Sequence, residues 1–372
     1  MGTPGGLVLH IGAHIDYDIL LSGAEVSDLA LVFETYWKSP SSVSGAAFDE
    51  SVSDNDLAAV RALVAEELEK GTQILATVLA EEGAWEHRVG SISIPLNEDT
   101  FSVVADTPEI SKDAQPTQVI ESLRTVVDSA QRDMVVVTPF FVPNENDVEW
   151  YQRMVDRGVR VRILTNSLAS NQGTISNSGL NKQRFDVVKA GVELHELRTD
   201  AADKARWETP PQVARYLGLH AKFYAIDRER VFLGSVNLDP RSKFVNTEMG
   251  VLIENTQLAE VTADAITRLM TPDNAWRVEI GTDGRLQWRS DTEIVRRQPA
   301  RGTVNASPTR FTVCCRFGTT YDPFGRGLGD VRGPHLRPAV RLEEGDESEV
   351  DQRRQKVEQQ TEAWRPACGQ RR

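Results

Sequence analysis

The stretch MVVVTPFFVPNENDVEWYQRMVDRGVRVRILT, residues 134–165, reads as a strand, a helix and a second strand in turn. Residues 134–140 form an apolar run that is typical of a buried strand. Residues 146–158 have the apolar spacing of a helix that ends at Gly158, and residues 159–165 predict the next strand. A strand–helix–strand unit of this length predicts parallel strands that are covered by helices.

The same alternation continues on both sides of this unit. Helices are predicted over residues 118–131 and 179–191, and a further strand over residues 192–197. Two more strands are predicted at residues 217–227 and 230–235, the second of them returning beside the first. The sequence therefore predicts an α/β fold, with a mixed β-sheet and flanking helices.

The two ends of the chain are less regular. Residues 16–22 predict a short strand, residues 24–37 a helix, and residues 56–71 an amphipathic helix. After about residue 300 the chain is rich in Arg, Gly and Pro and loses its periodicity. This composition predicts a disordered tail, and an altered reading frame would also produce it.

Charge and cysteine content limit the class of protein. The 42 Lys and Arg residues face 55 Asp and Glu residues, a net charge of −13, which argues against a protein that coats nucleic acid. All three cysteines lie in the tail, so no disulfide framework is expected in the main body. Neither a signal peptide nor a long apolar run is evident, so we expect a cytoplasmic location or one peripheral to the inner membrane.

The residues best suited to chemistry lie in the stretch HAKFYAIDRERVFLGSVN, which begins at His220. On a strand, His220 and Lys222 point to the same face, where the ammonium supplies charge and the imidazole carries a proton or attacks. The returning strand ends at Gly234, which permits close backbone approach and delivers Ser235 and Asn237 to the same neighbourhood. The expected ligand is an anion.

The whole spacing, His-x-Lys, four residues, Asp, six residues and Gly-Ser-x-Asn, resembles the signature of the phospholipase D superfamily. Asp227 is the aspartate of this pattern, and its odd spacing from His220 turns it away, so we interpret it as structural. A chance pair of strands is the alternative. Residues 12–298 most resemble bacterial cardiolipin synthase-like proteins, on stretches such as TPFFVPNENDV, RGVRVRILTNSLASN and GSVNLDPRSKFVNTEMG.

The resemblance implies roles for individual residues. It makes His220 a general acid and later a base, with Glu248 hydrogen-bonded to it as the acid that orients the ring. The residues implied to bind the substrate phosphate are Lys222, Ser235, Asn237 and Arg241, while Asp227 and Gly234 are structural. The implied substrate is a phospholipid, met by peripheral contact with the membrane surface, and no metal or organic cofactor is implied.

Other candidates are weaker. For Arg184 and Arg241, phosphate binding and ordinary surface pairing are both open. His195 follows a strand pattern and is predicted to be structural. His10 and His14 lack a lysine two residues on, so neither begins a second motif.

The superfamily resemblance implies two such motifs, one in each of two similar half-domains, and a repeat is visible. Residues 248–269 lie over residues 16–37 without a gap, an offset of 248 − 16 = 232 that puts Glu248 on Asp16. The same offset puts the first histidine before residue 1. We therefore expect Asp16 to be an orphan acid whose histidine is missing, and the site of this chain to be incomplete.

The expected organisation has four parts. They are a remnant of the first half-domain (1–38), a connecting region with a helix at 56–70 (39–115), a complete second half-domain (116–298) and the tail (299–372).

The predicted function is phosphatidyl transfer between phospholipids through a phosphohistidine, in a chain whose own activity is open. One alternative is a single-motif phosphodiesterase or nuclease that acts as a homodimer, against which the acidic charge speaks. The other alternative is a catalytically degenerate binding module. The presence of all the expected motif residues argues against it: His220, Lys222, Asn237 and Glu248.

Overall fold

The computed structural model describes most of the chain up to residue 300. The described ranges are residues 13–19, 21, 26–44, 57–66, 101–108, 116–171, 174–207 and 216–300. All of them belong to one compact unit, residues 1–307. The predictions for the tail, and for the end of the helix at 56–71, lie outside the described residues.

A ten-stranded mixed sheet carries the fold. Its strands are β2 (Phe101–Ala105), β3 (Asp133–Val137), β4 (Arg160–Asn166), β5 (Glu193–Leu197), β7 (Phe223–Ile226), β8 (Arg230–Gly234), β9 (Met249–Glu254), β10 (Ala275–Ile280), β11 (Leu286–Arg289) and β12 (Ile294–Val295). They lie in the order β12-β11-β10-β5-β4-β3-β7-β8-β9-β2. Strands β3, β4 and β5 are parallel, and the other neighbours are antiparallel.

Helices cover both faces of this sheet. The described helices are α1 (Val26–Trp37), α2 (57–66), α3 (Gln118–Asp128), α4 (Glu145–Asp156), α5 (Thr174–Lys189), α6 (Pro240–Phe244) and α7 (Thr256–Leu269). Every residue of α2 is exposed, so this helix is not one of those that cover the sheet. Along β3, Met134 and Val136 pack with α3, α4 and α5, whereas Val135 and Val137 pack with α7. This alternation is the reason that β3 is apolar throughout. The predicted α/β architecture is confirmed.

The ends of α4 follow from local sequence. The Asn144 side chain accepts a hydrogen bond from Asp147 N at 3.1 Å, and the Asp147 carboxylate accepts one from Asn144 N at 2.9 Å. This reciprocal cap satisfies donors that the first helical turn leaves unpaired. Gly158 follows the helix with φ +88°, a conformation that glycine adopts without a steric penalty.

The prediction of one continuous strand over residues 217–227 is wrong, because the strand is interrupted at residues 220–222. Residues Leu217–Leu219 form β6, and the chain enters the large sheet again only at β7. Strand β6 pairs in parallel with β1 (Ala13–Ile15) as a separate two-stranded sheet. Ile15 O accepts hydrogen bonds from His220 N at 2.8 Å and from Ala221 N at 3.0 Å, which holds the break in place.

Two further boundaries differ from prediction. The N-terminal strand is at Ala13–Ile15, whereas residues 16–19, part of the predicted strand, are irregular. Residues 101–105, assigned from sequence to a connecting region, form the edge strand β2 against β9. Within the described residues, the helices are too short or too polar to cross a membrane.

Candidate active site

The backbone before His220 is held by one buried amide. Asn166, at the end of β4, accepts a hydrogen bond from Leu219 N at 2.8 Å and donates one to Leu219 O at 2.9 Å. Its oxygen also accepts from Ser170 Oγ at 3.0 Å. Asn166 lies in the stretch LTNSLASN. Through these hydrogen bonds it positions the residue that precedes His220.

The His220 ring projects from the break between β6 and β7, and its side chain is about half exposed. Its Nδ1 lies 2.7 Å from Asp16 Oδ2, and its Nε2 lies 2.9 Å from Lys222 Nζ. A carboxylate accepts hydrogen bonds only, so Nδ1 carries the proton in this contact. In the neutral ring Nε2 then holds the lone pair, as in other sites where an acid orients a catalytic histidine.

The acid that orients His220 is therefore Asp16, and the prediction that Glu248 does so is wrong. The prediction that Asp16 is an orphan is wrong as well. The parallel pairing of β1 with β6 puts Asp16, one residue after β1, beside His220, one residue after β6. Glu248 instead directly precedes β9, which is separated from β3 in the sheet by β7 and β8.

Lys222 lies beneath the His220 ring and is mostly buried. Its Nζ contacts His220 O at 2.5 Å in addition to the ring nitrogen. Burial lowers the pKa of Lys222 below its ordinary value, and the carboxylates of Asp16 and Glu248 act in the opposite direction. Lys222 is thus a partly desolvated cation at the base of the site, where its charge acts strongly on a bound anion.

Glu248 is buried in a polar cluster beside Lys222. Its carboxylate accepts hydrogen bonds from Ser235 Oγ and, at 3.1 Å, from Asn246 Nδ2. Its backbone N donates to Asp106 Oδ2 at 2.8 Å. The contact with Ser235 ties the start of β9 to the end of β8, and the contact with Asp106 ties it to the end of β2. The first of these contacts also engages the Ser235 hydroxyl, for which phosphate binding stays a prediction.

Asn237 follows Ser235 on the loop after β8. Its backbone N donates to Ser242 Oγ at 3.1 Å. Its side-chain Oδ1 is buried and, in the described part of the chain, has no hydrogen-bond partner. Buried amide atoms are almost always paired, so this atom is a candidate contact for a bound molecule.

The remaining residues of the motif make contacts within the fold. The Asp227 carboxylate accepts hydrogen bonds from the backbone N of Gln131, Arg132 and Asp133, at 2.9, 2.7 and 2.9 Å. These bonds tie the turn between β7 and β8 to the start of β3. A Cβ on Gly234 would lie 2.3 Å from Met249 O, so this position admits only glycine without a shift.

Arg184 forms an ion pair with a buried acid, and not with one on the surface. Its Nε donates to Glu196 Oε1 at 2.8 Å, and both side chains are buried. The guanidinium lies 5.6 Å from the Trp288 ring centroid, and Trp288 Nε1 donates to the other Glu196 oxygen at 3.0 Å. The alternative of ordinary surface pairing is therefore wrong for Arg184.

His195 and Arg241 differ sharply in exposure. Burial, then the Arg277 guanidinium, lowers the pKa of His195 to about 3, with its Nε2 3.0 Å from Arg277 Nη1. His195 is therefore a neutral histidine inside the sheet. Arg241 is exposed in the first turn of α6, which Asp239 caps. For Arg241, a phosphate contact stays a prediction.

Sequence reasoning missed His14 as a neighbour of the site. Its ring centroid lies 6.5 Å from that of His220, with the two rings nearly perpendicular. The signal was present, because His14 and Asp16 are two residues apart at a strand end and share a face. His14 is not followed two residues later by a lysine, so the His-x-Lys motif does not identify it.

The site lies in a stretch that matches a known family. Residues 123–270 match the family described as "Cardiolipin synthase, PLD-like domain". These residues form a phospholipase D-like domain. The matched stretch contains β3 to β9, α4 to α7 and the second half of α3, and it supplies His220, Lys222 and Asn237. Asp16 and His14 reach the site from outside the matched stretch.

Curated relatives of the chain include two cardiolipin synthases. Cardiolipin synthase C of Escherichia coli K12 is 33% identical over 185 residues, which are 48% of this chain and 39% of the relative. Cardiolipin synthase A of Proteus mirabilis is 26% identical over 200 residues, 50% and 36% of the two chains. An uncharacterized protein of Helicobacter pylori 26695 is 24% identical over 258 residues, 66% and 48%. The chain spans less than half the length of these relatives.

Similar solved structures include a phospholipase D family member, Nuc from Salmonella typhimurium. It is 20% identical with a TM-score of 0.31, and the match covers 45% of this chain and 92% of Nuc. Phosphatidylserine synthase of Haemophilus influenzae is 17% identical with a TM-score of 0.34, and the match covers 46% and 38%.

Proposed function

We propose that the phospholipase D-like domain exchanges one ester bond of a phosphodiester for another. In the proposed reaction a phosphatidyl group passes from one phospholipid to the hydroxyl of a second. The observation that carries the proposal is the cluster of Asp16, His220 and Lys222, in which an acid orients an imidazole above a buried cation. The similarity to cardiolipin synthases C and A supports the lipid substrate.

In the proposed reaction, His220 Nε2 attacks phosphorus, and the bond from phosphorus to the leaving oxygen breaks. That oxygen takes a proton from water and departs as the alcohol. The ring becomes positively charged as the phosphohistidine forms, and the Asp16 carboxylate on Nδ1–H offsets that charge. The resemblance assigns His220 an acid–base role, whereas a lone pair directed from Nε2 suits the nucleophilic role that we propose.

Two residues are proposed to hold the non-bridging phosphate oxygens. Lys222 Nζ exchanges its contact with His220 Nε2 for a phosphate oxygen when substrate enters, which also frees Nε2 for attack. The side-chain Nδ2 of Asn237 donates the second hydrogen bond, because the amide nitrogen is a donor and the Oδ1 is only an acceptor. Preorganised donors in a site of low polarity stabilise the charge that develops in the transition state.

The test compares His220→Gln with Asp18→Asn in the full chain. Asp18 is exposed in the same N-terminal segment and serves as the control. Cardiolipin formed from phosphatidylglycerol in vesicles is measured by mass spectrometry, and hydrolysis of bis(p-nitrophenyl) phosphate by absorbance. We expect His220→Gln to lower both rates by on the order of 10² to 10⁴ or more.

Full activity of a well-folded His220→Gln variant would overturn the proposal. Inactivity of the natural sequence on both diesters would do the same. A duplex oligonucleotide is the comparison substrate: faster cleavage of its diesters than of the lipid would assign the domain to nucleic acid instead.

A further inference from the structure

A second imidazole lies beside His220 on the same face of the two-stranded sheet. In the pairing of β1 with β6, His14 stands opposite Gly218. Two residues further on, Asp16 contacts His220. Side chains two apart on a strand share a face, so His14 and Asp16 of one strand meet the face of Gly218 and His220 on the other.

The missing side chain of Gly218 makes room for His14. A Cβ at this position would lie 3.2 Å from Cδ2 and 3.3 Å from Nε2 of His14, and 3.2 Å from Ser170 O. The imidazole therefore packs over the glycine backbone. Its centroid lies 6.5 Å from that of His220. The two imidazoles are therefore neighbours, with the edge of one ring turned toward the face of the other.

We propose that His14 is a second imidazole of the active site and contacts the same phosphoryl group as His220. The proposal rests on the proposed function for the identity of that group. It assigns His14 a proton-transfer role, since its ring is a neighbour of the His220 ring.

The role belongs to the second step, in which the acceptor attacks the phosphohistidine. The acceptor hydroxyl gives its proton to a nitrogen of His14. Its oxygen forms a bond to phosphorus, and the bond from phosphorus to His220 Nε2 breaks with its electron pair returning to the ring. The products are the new diester, a neutral His220 and a protonated His14, which releases its proton to solvent.

The electrostatic environment of His14 agrees with a base. Burial, and then the neighbouring His220, lower the pKa of His14 below 6.5, while the Asp16 carboxylate acts in the opposite direction. The ammonium of Lys222 contacts His220 Nε2, and the carboxylate of Glu248 acts on Lys222 in turn. With a lowered pKa, His14 is neutral at pH 7 and can accept a proton.

The first test measures binding of tungstate, a phosphate-like oxyanion, to the full chain by calorimetry at pH 7. His14→Phe keeps a ring over Gly218 and removes both nitrogens, and Asp18→Asn is the control. Because a hydrogen bond to a charged group is lost, we expect His14→Phe to raise the tungstate Kd about tenfold or more. Thermal unfolding of each variant checks that the fold is retained.

A second variant acts without changing His14. Gly218→Ala pushes a methyl group against the ring and should raise the Kd by a smaller factor. Should His14→Phe and Asp18→Asn bind tungstate equally well, the inference is overturned, and the same holds if the natural sequence binds none.

Turnover of the two histidine variants then shows which of the two proposals fails if one of them is wrong. We expect His14→Phe to lower kcat by about 10²-fold, with phosphohistidine accumulating on His220 and the apparent KM of the donor lipid falling as the second step becomes rate-limiting. If His220→Gln abolishes turnover and His14→Phe does not, the proposed function stands and the inference fails. If tungstate binding depends on His14 but no diester is turned over, the inference stands and the proposed function fails.

Discussion

Replacement of Asp16 by asparagine tests the contact on which the site depends. The change keeps the size of the side chain and removes its charge, and the amide presents a donor or a weaker acceptor to His220 Nδ1. The contact is short, 2.7 Å from oxygen to nitrogen, and both side chains are about half exposed, 44% for Asp16 and 54% for His220.

The magnitude follows from this exposure. A hydrogen bond to a charged group is worth about 1.5–3 kcal/mol, and partial exposure to water reduces it to about 1–2 kcal/mol. At about 1.4 kcal/mol per factor of ten, Asp16→Asn should lower kcat roughly 5- to 30-fold. The substrate KM should change little, because Asp16 acts on the ring and not on the phosphate.

The assay is steady-state turnover of bis(p-nitrophenyl) phosphate and of phosphatidylglycerol, with Asp18→Asn as the control. Glu248→Gln is the informative comparison, since the sequence pattern favoured Glu248 as the partner of His220. The structure predicts that Glu248→Gln changes mainly stability, through its contacts with Ser235 and Asn246. A loss of kcat in Glu248→Gln with normal kcat in Asp16→Asn would refute the pairing of Asp16 with His220.

Two further predictions concern the surroundings of His220. Because the pKa of Lys222 is lowered, its charge is lost at a pH below the ordinary lysine value, so kcat/KM should fall as pH rises through that lowered pKa. Lys222→Arg should move this fall to higher pH, and a pH profile of the two proteins measures it. Asn166→Ala removes both hydrogen bonds to Leu219 inside the fold and should cost about 1–3 kcal/mol of unfolding free energy, with a lower kcat from a displaced His220. Urea unfolding measures the first effect, and an unchanged midpoint would contradict it.

Much of the fold could be predicted from local pattern. The 3.6-residue spacing of apolar positions placed α3 and α4 within a few residues, because a helix that packs one face on a sheet must repeat that spacing. The start of α5, at Thr174, lies five residues before the predicted start at residue 179. The apolar runs of β3 and β4 follow from burial on both faces. The break between β6 and β7 was missed, since LGLHAKFYAID alternates normally and the interruption depends on Ile15, far away in the chain.

The sequence by itself determined that His220 and Lys222 lie together, because they are only two residues apart in the chain. Only the tertiary structure decided which acid serves His220. Asp16 and Glu248 occupy equivalent places in the repeat, but Asp16 lies 204 residues from His220 in the chain and reaches it through the parallel pairing of β1 with β6. His14 enters the site by the same route. Strand pairing over such a separation is set by burial and hydrogen bonding in the whole fold, and no local pattern specifies it.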